Sequence, residues 1–155
     1  MGIFDAFGTT TEAGKKFEKL LAEMSDKQVA VGFNADSGSY DDGASLVEVA
    51  AWNELGTRHI PSRPFIHDAI EFNNDKITMF AGASVRNAIE NGGSAEEVLN
   101  QIGNMAKGLV QEEIRNGMWT PNAPSTIRKK GSDHPLIDTG YMRQNVKYVI
   151  EGRED

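Results

Sequence analysis

The chain has 155 residues, 39% of them hydrophobic and 25% charged, with no cysteine and a formal net charge of -7. These values exclude wholesale disorder, a disulfide scaffold, thiolate zinc sites and a cysteine nucleophile. The negative charge repels polyphosphate at long range, which argues against a dedicated nucleic-acid binder. One domain, burying roughly 68 to 70% of the surface its unfolded form exposes, is the expectation for this length. The opening MGIFDAFGTTTEAGKKF lacks a charged leader followed by an apolar core, and no stretch reaches the roughly 18 unbroken apolar residues of a membrane span. A protein that is neither secreted nor membrane-spanning is therefore expected, with cytoplasmic synthesis.

In chain order, Thr9 and Glu12 have capping-box spacing, and Ala13, Phe17, Leu20, Leu21 and Met24 recur at helical intervals. From Lys27 the period changes to two, with Val29, Val31 and Phe33 on one face of a strand. The polar stretch NADSGSYDDG, residues 34–43, has no evident ordering signal and is expected to be mobile. SLVEVAAWNEL predicts a second helix that stops at Gly56, with Leu46, Val47, Ala50, Ala51 and Leu55 as its buried face. A third helical stripe runs from Ile66 to Ile89, with a break near Asn73 and Asn74, and closes at the NGG of residues 91–93. Ser94 and Glu97 form another capping-box spacing at the head of a long amphipathic helix that ends near Asn116 and Gly117.

Between Gly117 and Ile137 the regular pattern lapses into GMWTPNAPSTIRKKGSDHPLI, which reads as an extended arm. Fully stretched, such an arm spans about 60 to 70 Å. Asp138 and Thr139 suit the start of a short turn through Arg143, and Val146, Tyr148 and Ile150 alternate as a closing strand. The expected fold is α+β: a small antiparallel sheet packed against three or four amphipathic helices, with long loop arms, in a single domain over residues 1–155.

The segment ELGTRHIPSRPF, residues 54–65, is unusual for a connection between helices. Its prolines hold φ near -65° and bias Ile60 and Arg63 toward extended backbone, so the loop is nearly preformed and loses little entropy on docking. Arg58 and Arg63 offer planar donor forks for carboxylates, and Phe65 offers an apolar anchor. The plainer alternative has Phe65 capping the core and both arginines solvated. Trp119 divides evenly between burial against the long helix and an intersubunit anchor. Arg128, Lys129 and Lys130 form a local basic run, either solvated or facing an acidic surface or passing DNA phosphate.

Two stretches carry a resemblance. AAWNELGTRHIPSRPFI is similar to the EFGT-x-x-IPARPF segment of the tail-completion, neck or head-to-tail joining proteins of long-tailed bacteriophages, and WTPNAPSTIRKKGSDHPLIDTGYMRQNVKYVI resembles their companion W-x-P and L-I-x-T-G pattern. Together they cover about a third of the chain. Leu55 stands where phenylalanine is common, Ser62 where alanine is, Met142 and Asn145 replace leucine and serine, and the two segments come in the reverse of the order some of these proteins show. The resemblance implies a virion component, made in the host cytoplasm and assembled as a ring of six at the junction between tail tube or sheath and the portal-side connector, with DNA passing its lumen.

On this reading the contact residues of the first segment are Trp52, Glu54, Arg58, Ile60, Pro61, Arg63, Pro64 and Phe65. Those of the second are Trp119, Pro121, Pro124, Ile127, Arg128, Lys129, Lys130 and Arg143. A substitution such as Arg63→Glu or Pro64→Gly is expected to leave the monomer folded and to stop assembly.

No constellation points to catalysis. His59, His67, Asp68, Asp133 and His134 lie in separate irregular segments without helical metal-site spacing, and there is no phosphate-cradling glycine loop or nucleophile elbow. Neither enzyme activity nor a cofactor is expected. The alternative function is a monomeric cytoplasmic adaptor or binding module.

Overall fold

The computed structural model describes residues 11–121, 123–130 and 140–153. It is α+β. Helices α1 (Glu12–Met24), α2 (Leu46–Leu55), α3 (Phe65–Glu71), α4 (Asn74–Asn91), α5 (Ala95–Asn116), α6 (Pro124–Lys130) and α7 (Tyr141–Gln144) accompany strands β1 (Lys27–Gly32) and β2 (Lys147–Gly152). The two strands pair as one antiparallel sheet. Gln28 Nε2 donates to Glu151 Oε1 across it at 3.0 Å.

The chain divides into two compact units, one made of Met1–Ala30, Asp75–Met105 and Val149–Asp155, the other of Val31–Asn74 and Ala106–Tyr148. In the first, Leu20, Ala88, Ala95 and Val98 form the buried centre, with Met24, Val85, Ile89 and Ile102 packed against it. The turn between α4 and α5 is fixed by sequence. Ser94 Oγ accepts from Glu97 N while Glu97 Oε2 accepts from Ser94 N, both at 3.2 Å. At α1 the N-terminal cap is Thr11, whose Oγ1 accepts from Gly14 N at 3.0 Å; Thr9, expected in that role, lies outside the described residues. The helical stripe breaks between Glu71 and Asn74, as its sequence suggests.

The second unit buries Leu46, Ala50, Phe65, Ala69, Ala106, Leu109, Val110, Ile114, Met142 and Val146. Phe33 meets Phe65 edge to face, with ring centroids 6.2 Å apart.

Three expectations are corrected here. The 34–43 stretch carries its own order: Asn34 and Ser37 cap a 3-10 turn at Ala35–Ser37, Tyr40 N donates to Ala44 O, and Gly43 N donates to Tyr40 O. Tyr141 packs edge to face on Tyr40 with centroids 5.3 Å apart. The stretch 117–137 is not irregular throughout, because α6 forms with Pro124 at its first helical position, where the missing N–H costs nothing. Of that stretch, Asn122, residues 131–137 and the side chains of Ile127, Lys129 and Lys130 lie outside the described part, as do Asp138 and Thr139. Finally, Leu55 is 78% exposed and Ala51 is exposed, while Leu46 and Ala50 carry the burial of α2.

Candidate interaction surface

The C-terminal end of α2 organises everything around it. Gly56 N–H closes the helix on Trp52 O at 2.9 Å, and the backbone then turns at φ 76° and ψ 165°, a combination essentially reserved for glycine. A Cβ there would also lie 2.9 Å from Ser62 N. The chain doubles back at once: Thr57 N donates to Ile60 O at 2.8 Å, and Thr57 Oγ1 accepts from His59 N and Ile60 N. Ser62 Oγ returns to Glu54 O at 2.9 Å. The result is a tight projection, residues 57–61, springing from the end of α2.

The return limb is held by side chains that the loop and α2 exchange. Arg63 N donates to Asn53 O at 2.6 Å, and Arg63 Nη1 donates to Asn53 Oδ1 at 3.0 Å. Pro64, at φ -77° and ψ 65°, makes an inverse γ-turn closed by Phe65 N on Arg63 O at 2.8 Å. That turn delivers Phe65 to the core and starts α3. No side chain of α3 itself caps its first turn; the Glu54 carboxylate does so from α2, Oε2 accepting from Ile66 N and Oε1 from His67 N, each at 2.9 Å.

The second motif is tied to the first by the same arginine. Arg63 Nε donates to Thr120 O at 3.0 Å and Nη2 to Pro121 O at 3.4 Å. Trp119 folds back on α5, donating Nε1–H to Glu113 O at 3.3 Å. Arg143 is half-buried, and its carbonyl accepts from Gln111 Nε2 at 3.0 Å.

Arg63 and Phe65, read from the sequence as presented contact groups, therefore lie inside their unit, at 4% and 0% exposure. The γ-turn at Pro64 and the carbonyl acceptors from two segments turn them inward, so charge reversal at Arg63 acts first on folding. Burial also pulls the Arg63 guanidinium below its ordinary pKa, which leaves a group of this basicity charged. On α5, Glu113 is pushed up, by desolvation first and then by the charges of Asp68 and Glu112.

Other expected contact residues face outward. Arg58, Pro61, Pro121, Pro124 and Arg128 are exposed, Trp52 is 42% exposed, and Glu54, Ile60, Pro64 and Trp119 are half-buried. Leu55, expected on the buried face of α2, joins this outer set. Asn53 and Thr57 escaped the sequence reading; a polar Asn followed by Glu at the end of an apolar helix, facing a proline-stiffened loop, was the available signal. Among the described residues no helix is long and apolar enough to cross a membrane, and no group of three His, Asp or Glu is placed to hold a metal ion. Comparison of the chain with protein-family models, with curated proteins and with solved structures found no match.

Proposed function

We propose that this chain is an architectural subunit whose copies join into a ring at the head-to-tail junction of a long-tailed phage particle, between tail tube and connector, with DNA passing through the lumen. One observation carries the reading. The projection at residues 57–61 is fixed from within by Gly56, Asn53, Glu54 and Arg63, and its Arg58 and Pro61 are at solvent, as are Trp52 and Leu55 on the last turn of α2. A surface whose ordering cost is met in the monomer loses little entropy on docking, and apolar groups beside an arginine are the residue types that dominate interfaces. The likeness of both motif stretches to tail-completion proteins points the same way, and Arg63 makes those stretches one structural feature.

The mechanism is geometric: the same edge repeated by rotation closes a ring, and the ring offers one face to the tail and one to the head. Deleting the chain from a phage genome that encodes it should yield filled heads and finished tails that fail to join. Whole tailed particles from that deletion would refute the reading, as would a chain that stays a monomer and binds an unrelated cytoplasmic protein.

A further inference from the structure

The edge described above has a charge as well as a shape. Leu55 and Trp52 lie one helical turn apart on α2, and the projection adds Arg58 and His59, both exposed. Arg58 has no ion-pair partner among the described residues. Arg58 supplies the positive charge of this apolar edge, with exposed Glu48 one turn back from Trp52 on α2, on a chain whose net charge is -7. At the opposite end of the same helix, about 15 Å away for ten residues, stands a turn of the opposite sign. Asp41 and Asp42 are exposed there, on a turn pinned by Tyr40 N to Ala44 O, Gly43 N to Tyr40 O and the Ser39–Ser45 bridge. Neither aspartate has an ion-pair partner among the described residues; Asp42 Oδ1 accepts from Ala44 N at 3.0 Å.

Resting on the ring reading, we infer that the occupant of the Trp52–Leu55–Arg58 edge is the Asp41–Asp42 turn of a second copy of this chain. The contact is head to tail, each α2 presenting its cationic end to the acidic end of the next. Two unlike surfaces at the two ends of one helix make a heterologous contact, the kind that repeats around a ring, whereas a self-complementary patch would stop at a dimer. The Asp41–Asp42 turn complements Arg58 in charge, and the net charge of -7 disfavours a nucleic acid in its place.

Because the chain has no cysteine, an introduced pair reports the contact cleanly. The double variant Arg58→Cys with Asp42→Cys cannot bridge within one copy, since a disulfide needs Cα atoms within roughly 7 Å. Under mild oxidation it should give a ladder of covalent oligomers ending at the size of the native assembly. Each single variant should stay uncrosslinked, and a mixture of the two singles should give covalent dimers. Arg58→Glu should weaken self-association about tenfold, and adding Asp41→Lys and Asp42→Lys should restore it. Covalent dimers of Arg58→Cys alone, or an uncrosslinked double variant in a preparation that sedimentation shows to be assembled, would overturn the pairing and leave the ring standing. Wild-type chain that sediments as a monomer at every concentration would overturn both.

Discussion

The carboxylate of Glu54, at the end of α2, receives the backbone N–H groups of Ile66 and His67 at the start of α3, both at 2.9 Å. A negative charge at a helix N-terminus meets the dipole and two donors that no other described side chain satisfies. Glu54→Ala should therefore lower stability by about 1 to 2 kcal/mol, and Glu54→Gln by less, since its amide oxygen still accepts. Urea denaturation of the three chains measures the order. Equal midpoints for wild type and Glu54→Ala would mean that the cap contributes nothing.

Gly56 allows the chain to leave α2 in a conformation closed to other residues, with Ser62 backed against it. Gly56→Ala is expected to cost about 1 to 3 kcal/mol from backbone strain. It should also raise the hydrogen-exchange rate of the Thr57 and Arg63 amides, whose partners are Ile60 O and Asn53 O. Unchanged protection of those two amides would contradict the turn described here.

Arg63 ties the two motif segments together through Asn53, Thr120 and Pro121. Arg63→Ala empties a buried side-chain position and removes the guanidinium hydrogen bonds to Asn53, Thr120 and Pro121, for an expected loss of about 1 to 3 kcal/mol. Lysine, with one point donor in place of a fork, should recover only part of it. If thermal unfolding of Arg63→Ala matched wild type while assembly failed, the sequence-level expectation of a presented arginine would return.

Glu113 supplies a pH test. Its folded pKa lies above the ordinary carboxylate value, so between those two pH values the folded chain holds a proton that the unfolded chain has lost. Stability contributed by this group is thus full below the ordinary carboxylate pKa and declines as pH rises through the folded value. Glu113→Gln should be more stable than wild type at neutral pH, with the difference shrinking on acidification. A difference that grew toward acid would reverse the assignment.

Much of the fold was legible because its signals are local. Ser94 and Glu97 announce the start of α5 by spacing alone, and the apolar stripes of α1 and α5 follow the helical period. Other signals were present and overlooked: Asn34 and Ser37 form a capping pair, and Pro124 heads α6 as prolines often do. What could not be read was direction. Whether Arg63 and Phe65 point out or in depends on a γ-turn at Pro64, and on carbonyls at Thr120 and Pro121 that are 57 and 58 residues away in sequence. Leu55 was misplaced for a plainer reason. By the helical period it stands on the side of α2 opposite Leu46, whereas Ala50, Asn53 and Glu54 share the inner side.

The outward position of Leu55 gives the assembly reading a handle separate from folding. Leu55→Gln changes a side chain that is 78% exposed and should shift stability by no more than about 0.5 kcal/mol. Sedimentation should nevertheless show weaker self-association than wild type. Unaltered association would remove Leu55 from the contact.

The most direct measurement is an electron-microscopy map of an intact tailed particle whose genome encodes this chain. On the proposed function the chain should appear there as a closed ring around the DNA channel where head meets tail, with the projection at residues 57–61 pressed against the next copy. Mature particles that lack the chain, or hold it without contact between copies, would contradict it.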